Sequence, residues 1–257
     1  MSYKSFDNEK LLYDTELPFG YYDLFLIDKK LHLIHDHHKN KYFDLISKKI
    51  CTDSEKKQTI LFDKYITWNR ISNNLLCDYE FKLYHNNNEI INLPHIRKLK
   101  IHKEYLYYSL ENNIYQENID KSKFSIVHKS KGYYHNGVIK YPDFDISNHG
   151  FYVYEPNGEK ILAYKILDNF NLKLSKESQI NIDDKYLFSF QQKIMIDCDY
   201  VFLYMKERIL VFNNDLIYIK DIVSSDKSQA RTYKSFYVKN HIIYLINNTR
   251  LQIYELH

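Results

Sequence analysis

A short run of aromatic and branched residues, a polar turn, then another such run: this unit recurs along the chain and constrains its fold more than any other feature. Clear copies are FYVYEPNGEKILAYKI (Phe151 to Ile166), YVFLYMKERILVFNNDLIYIKDI (Tyr200 to Ile222) and HIIYLINNTRLQIYEL (His241 to Leu256). Tyr, Phe, Ile, Leu and Val in runs of this length suit strands, because flat and branched side chains pack well on a pleated surface. The Asn- and Asp-rich breaks suit turns. The pattern predicts an all-β chain closed by repetition, and it names no chemistry.

Composition supports this reading. The chain has 257 residues, with 26 Tyr and 15 Phe but only 5 Gly, where ordinary usage would give roughly 18 Gly. Its turns must therefore rely on Asn and Asp, which tolerate the left-handed backbone region. A hydrophobic content of 44% is enough for a real core, and the length suits one domain across 1–257 or one closed repeat array. Lys, Asn, Ile and Tyr share AT-rich codons and point to an AT-rich genome.

The net charge of +3, from 36 basic and 33 acidic residues, is too mild for a protein that lives wholly on nucleic acid but leaves room for a local basic face. Cys51, Cys77 and Cys198 are far apart and odd in number, with no CxxC pair, which argues against a disulfide framework or a structural zinc site. The start MSYKSFDNEKLLYDTEL has no apolar signal core, and no uncharged stretch approaches the roughly 18 residues of a membrane span. The expectation is a cytoplasmic protein with no membrane partner.

Six sectors can be drawn, five of about 30 to 45 residues, the size of a four-stranded blade, and a shorter last one. Sector one runs from about Gly20 to Ile50, two from Thr59 to Leu93, three from Arg97 to His128, four from Tyr133 to Leu167, five from Ile180 to Ile222 and six from Phe236 to Leu256. In sector two a strand is expected near Ile60–Trp68, and Trp68 is expected in the core. Sector four holds Asn157-Gly158, a strong hairpin signal. Surface loops are expected at Thr52 to Gln58, Asn169 to Ser178 and Ser224 to Ser235. Sector six lacks a last strand, which Lys10 to Asp14 can supply, so that no open edge remains.

Phe151-Tyr152-Val153-Tyr154, Arg208-Ile209-Leu210-Val211-Phe212 and Arg250-Leu251-Gln252-Ile253-Tyr254 each resemble the third strand of a blade before a polar hairpin. On these residues the chain resembles a degenerate β-propeller of the WD-repeat-like kind, without the Gly-His and Trp-Asp signatures. The resemblance implies about six irregular blades closed by the N-terminal strand. Stacked antiparallel sheets or a β-sandwich are the alternative.

Several stretches carry candidate chemistry. In HLIHDHH, His35 and His37 would share one face of a strand, an arrangement able to ligate zinc or iron. In HIRKLKIHKEY, with Leu99 and Ile101 inward, Lys98, Lys100 and His102 would face out together beside Arg97. In KSKGYYHNGVIKY, Lys129, Lys131 and Lys140 would meet phosphates while Tyr133, Tyr134 and Tyr141 stack on bases. Arg231 would add to this RNA- or partner-facing edge. About half of Tyr107, Tyr108, Tyr133, Tyr134 and Tyr152 are expected at the surface.

Catalytic patterns are missing: no GxSxG, HExxH, P-loop or GxGxxG occurs. Asp143 and Asp145 could share a face for acid–base work, although such pairs are common in turns. The expectation is a non-enzymatic interaction module with no cofactor. It would have protein partners in a large complex and possible RNA contact, as in a ribosome- or RNP-associated accessory factor. A carbohydrate- or small-ligand-binding propeller and a metal-dependent hydrolase built on His35 and His37 are the alternatives.

Overall fold

The computed structural model describes residues 9–17, 21–27, 29–35, 41–52, 57–70, 79–120, 123–135, 138–168, 171–180, 192–205, 208–223, 235–246 and 250–256. The strand β1 (Glu9–Glu16) is followed by blade 1, formed by β2 (Tyr21–Ile27), β3 (Lys30–His35), β4 (Lys41–Asp44) and β5 (Lys49–Thr52). Blade 2 comprises β6 (Lys57–Leu61), β7 (Lys64–Arg70), β8 (Tyr79–His85) and β9 (Asn88–Ile96). Blade 3 comprises β10 (Lys98–His102), β11 (Tyr105–Leu110), β12 (Asn113–Asn118) and β13 (Lys123–Lys129). A two-stranded hairpin, β14 (Tyr133–His135) and β15 (Val138–Lys140), precedes blade 4. That blade comprises β16 (Asp143–Ser147), β17 (Gly150–Glu155), β18 (Lys160–Ile166) and β19 (Leu172–Gln179). Blade 5 is β20 (Lys193–Asp197), β21 (Tyr200–Met205), β22 (Arg208–Asn213) and β23 (Tyr218–Val223). Blade 6 is β24 (Ser235–Lys239), β25 (Ile242–Ile246) and β26 (Arg250–Leu256), completed by β1. The chain is a six-bladed β-propeller.

Closure by the N-terminal strand is borne out and is longer than expected. Antiparallel pairing runs from Glu9 opposite Leu256 to Glu16 opposite Arg250. Arg250 donates two parallel bonds to Asp14, Nε to Oδ1 at 2.9 Å and Nη2 to Oδ2 at 2.7 Å, the fork geometry that fixes register as well as adding energy. A bulge between Leu11 and Tyr13 accompanies a contact of the Tyr13 ring with Phe43 of blade 1, centroids 4.8 Å apart. The closing strand thus pairs with one blade and packs on the next.

Core clusters sit between neighbouring blades. Tyr154 and Ile161 of blade 4 meet Val201, Leu203 and Phe212 of blade 5, while Phe202 and Val211 of blade 5 meet Phe236 and Leu245 of blade 6. The middle strands are covered on both faces, so β17 is buried at every position. This explains why Tyr107, Tyr108 and Tyr152, half of which were expected at the surface with Tyr133 and Tyr134, are all buried. Outer strands have only one covered face, and β19 is largely exposed.

Sector boundaries need three corrections. Asn169 to Ser178, expected as a loop, contains most of β19; its polar sequence LKLSKESQ lacks the apolar run of a buried strand. The run Ile60–Trp68 is two strands, broken at Phe62 and Asp63, whose φ values of 46° and 62° make a two-residue turn with both residues left-handed. Phe at a turn position hid that break, whereas Asn86 and Asn87, with φ of 49° and 63°, mark the next hairpin openly. Blade 4 starts at Asp143 rather than at Tyr133, because Tyr133 to Lys140 forms the inserted hairpin. Phe151 to Tyr154 is accordingly the second strand of its blade, while Arg208 to Phe212 and Arg250 to Tyr254 are third strands as expected.

Candidate functional site

The first strands of five blades pack in turn around the axis, β10 on β16, β16 on β20, β20 on β24 and β24 on β2. Period-two alternation along β10 sends Leu99 and Ile101 into the core between blades 2 and 3. Lys98 and Lys100 point the other way, toward β16. Lys98 Nζ donates to Asp143 Oδ2 at 3.0 Å and to the Ile194 carbonyl at 2.7 Å. Lys100 Nζ lies 3.0 Å from Asp145 Oδ1.

These carboxylates also bind backbone. Asp143 Oδ2 accepts the Ile194 N–H at 2.7 Å, and Asp145 Oδ2 accepts the Ile196 N–H at 2.8 Å. One blade on, Lys193 Nζ donates to Ser235 Oγ of blade 6 and to the Leu24 carbonyl of blade 1, both at 3.0 Å. A polar ladder therefore ties blades 3, 4, 5, 6 and 1 together near the axis. Burial pulls the Lys98 ammonium below its ordinary pKa, against the pull of Asp143 and Asp145. Burial acts on Lys100 in the same sense, but there the Asp145 charge and hydrogen bond win and its pKa rises.

The expectation that Lys98, Lys100 and His102 form an outward basic face is thus corrected. They share a strand face, but that face looks onto β16 and the two lysines are committed to Asp143 and Asp145. Those two aspartates, considered for acid–base work, are the lysines' partners. His102 is half-buried, and burial, helped by Lys103, lowers its pKa. The matched two-residue spacing of Lys98-x-Lys100 and Asp143-x-Asp145 was the sequence signal that could have revealed the ladder.

The second basic stretch lies where blade 3 crosses to blade 4. Tyr133 pairs with Lys140, and Tyr134 with Ile139. Tyr134 is 71% exposed, and Lys129 and Lys131 at the base of the hairpin are exposed. The Arg97 guanidinium stacks over the Tyr141 ring, 3.1 Å from its centroid. Arg97 and Tyr141 stand just before β10 and β16, on the same propeller face as the hairpin. Lys140, expected to meet phosphate, is instead only 5% exposed. Its Nζ lies 5.9 Å from the Tyr133 ring centroid, and burial lowers its pKa despite the nearby Glu159. The structure thus brings Arg97, Lys129, Lys131, Tyr133, Tyr134 and Tyr141 to one face and removes Lys98, Lys100 and Lys140 from it.

The root of this hairpin is anchored by a buried network that sequence reasoning missed. His128 Nε2 lies 2.9 Å from Glu155 Oε2, and His128 Nδ1 lies 3.0 Å from the Tyr164 hydroxyl. Ser130 Oγ donates to Glu155 Oε1 at 2.7 Å and accepts the Gly132 N–H at 2.9 Å. The Asn157 N–H also donates to Glu155 Oε1, at 3.0 Å. Burial pushes the Glu155 carboxyl up, but the bonds from His128, Ser130 and Asn157 outweigh it and hold the group below its ordinary value. Gly132 has φ of 68°, a left-handed conformation that glycine adopts without strain, and a Cβ there would push against the Asn112 side chain, with Oδ1 at 2.7 Å.

Among the remaining candidates, His35 ends β3 but its side chain lies outside the described residues, as do His37 and Arg231 entirely. Trp68 lies on β7 with its side chain likewise outside them. On blade 2 Ile60 pairs with Tyr65 across the turn that carries Phe62, and all three are exposed.

No family model matches the chain, and no curated protein matches it. Solved structures share the fold. The WD40 β-propeller domain of Doa1 is 9% identical with a TM-score of 0.59, covering 98% of this chain and 98% of that one. An auxiliary nutrient binding protein from Bacteroides thetaiotaomicron is 11% identical with a TM-score of 0.59, covering 98% of this chain and 74% of its own. A structural genomics protein of unknown function from the same species is 10% identical with a TM-score of 0.55, covering 99% and 73%. At these identities the likeness is one of fold alone.

Proposed function

We propose that this propeller is a non-enzymatic interaction module of a cytoplasmic ribonucleoprotein assembly, and that it grips its partner with the face around the β14–β15 hairpin. The observation that carries this reading is Tyr134, exposed on a hairpin inserted between two blades, with exposed Lys129 and Lys131 at its base. A tyrosine face stacks on an unpaired base and lysines meet the flanking phosphates. Arg97 on Tyr141 extends the same surface. Ile60, Phe62 and Tyr65 on blade 2 supply an apolar contact suited to a protein component of the same assembly. The ion-paired ladder gives the rigidity that such a platform needs.

The test is sedimentation of the tagged protein in a native lysate gradient, with and without RNase, alongside Lys131→Glu and Tyr134→Ala variants. Heavy migration that collapses with RNase and is lost in both variants is expected. Phosphate contacts release counterions, so the association should also weaken steeply with salt. Migration near the chain's own mass of 31.3 kDa in every lane would sink the reading.

A further inference from the structure

The opposite face of the propeller carries a different chemistry. There Asp197 ends β20 and Cys198 and Asp199 turn into β21, while the turn from β24 to β25 holds Asn240 and His241. Asp197 joins the two turns: Oδ1 accepts the Asn240 N–H at 2.8 Å and Oδ2 accepts the His241 N–H at 2.6 Å. This clamp between blades 5 and 6 carries the Cys198 thiol to the His241 imidazole. One ligand atom each from Asp197, Cys198 and His241 lies within 4.8 Å of the other two.

We propose that Asp197, Cys198 and His241 form a binding site for a borderline-soft divalent cation of the zinc class. Sulfur, imidazole nitrogen and carboxylate oxygen are the donor types zinc prefers, whereas calcium and magnesium prefer all-oxygen sites. Tetrahedral coordination at about 2.0–2.3 Å sets ligand atoms about 3.5 Å apart. The present spacing therefore closes through side-chain rotation, which Cys198 and His241, both exposed, are free to make. Each Asp197 oxygen accepts one backbone N–H; the Cys198 thiol also hydrogen-bonds to Asp197, and because a metal-bound thiol gives up its proton, that position becomes open to the ion. Asp199 beside the thiol adds negative charge that favours a cation. Three protein ligands leave a fourth position for water or for a side chain of a bound partner. The site is remote from the interaction face proposed above and stands or falls independently of it.

The full chain, stripped of metal with chelator, would be titrated with Co²⁺ and then with Zn²⁺ in competition with a chromogenic chelator. One equivalent should bind with a thiolate-to-cobalt charge-transfer band in the near ultraviolet. Cys198→Ser should abolish the band, and His241→Asn, chosen because Asn tolerates the left-handed φ of 61° there, should weaken binding at least tenfold. Cys51→Ser should leave both unchanged. Zn²⁺ should raise the melting temperature of the parent protein but not of Cys198→Ser, since an ion held only by the folded state stabilises it. No charge-transfer band at a tenfold excess of cobalt, or a band that survives Cys198→Ser, overturns the proposal. Circular dichroism of each variant separates loss of ligand from loss of fold.

Discussion

Two lysine- and tyrosine-bearing stretches, His95 to Tyr105 and Lys129 to Tyr141, read alike as sequence and end in opposite environments. In the first, Lys98 and Lys100 are drawn against β16 and neutralised by Asp143 and Asp145. In the second, Lys129, Lys131 and Tyr134 face solvent. Charge pattern on a strand reports which residues share a face; what that face meets depends on the strand's place in its blade. The first stretch forms an inner strand, where the facing surface is another strand. The second leaves its sheet and forms a hairpin of its own.

The sharpest way to break this contrast is to remove one partner from the ladder. Asp145 is 2% exposed at its side chain and holds Lys100, the Ile196 N–H and the Ile146 N–H. Asp145→Ala should destabilise the fold by about 2–4 kcal/mol, because the half-buried Lys100 ammonium loses its paired carboxylate and the Ile196 and Ile146 N–H groups lose their acceptor. Chemical denaturation would measure it. The double variant Asp145→Ala/Lys100→Met should recover part of the loss but not all, since the Ile196 N–H still lacks its acceptor. A loss below about 0.5 kcal/mol for Asp145→Ala, the size of an ordinary surface change, would place the ladder in solvent and erase the comparison.

A second test lies at the junction between the two regions. Glu155 ties the hairpin's root to blade 4 and is held below its ordinary value of 4.5. A carboxyl depressed by folding adds stability that is complete above the unfolded pKa and is lost as pH falls through the folded one. Thermal melts should therefore show a fall in stability as the medium is acidified below about pH 4.5. Glu155→Gln should cost about 1–3 kcal/mol at pH 7 and flatten that acid slope. An unchanged slope would show that the Glu155 network does not support the hairpin's root.

What could be read from the sequence divides along the same line. Middle strands such as Phe151 to Tyr154 are covered on both faces and announce themselves as unbroken apolar runs, so blade number and N-terminal closure were legible. Outer strands were not: β19 buries too little to need apolar residues, and it read as a loop. The turn at Phe62-Asp63 used neither Asn nor Gly. Site residues were harder still. The alternation that places Lys98 and Lys100 on one face of β10 was legible, but the ladder needs Asp143 one blade away and Ile194 two blades away. The His128–Ser130–Glu155–Tyr164 network needs three strands to converge, and no local spacing encodes that.

The buried side of the contrast also contains a flaw that can be mended. Tyr154, fully buried on β17, has a hydroxyl with no hydrogen-bond partner among the described residues. Burial pushes its pKa upward, further raised by Glu159 and Glu155. Tyr154→Phe keeps the ring between blades 4 and 5 and removes the unsatisfied group. It should stabilise the fold by about 1 kcal/mol, read as a higher midpoint in urea with an unchanged slope. A lower midpoint would mean that the hydroxyl does find a partner.

The smallest stability effect is expected on the exposed side, and its smallness is informative. Tyr134→Ala and Lys131→Glu alter groups that make no buried contact, so each should shift folding stability by no more than about 0.5 kcal/mol. If the hairpin face is the gripping surface, the same substitutions remove a stacking platform, worth about 1–3 kcal/mol per base, and reverse a charge beside the phosphate path. The measurement is paired: a urea midpoint for folding, and single-stranded RNA binding followed by anisotropy at two salt concentrations. An unmoved midpoint together with weaker binding and, for Lys131→Glu, a shallower salt dependence would assign recognition to this face. Unmoved midpoint and unmoved binding would leave the hairpin as surface ornament and direct attention to the apolar group at Ile60, Phe62 and Tyr65. Lys98 cannot serve as the control for charge, because its substitution would collapse the ladder before it reported on binding; Lys173, exposed on outer strand β19 and outside both the ladder and the hairpin face, can.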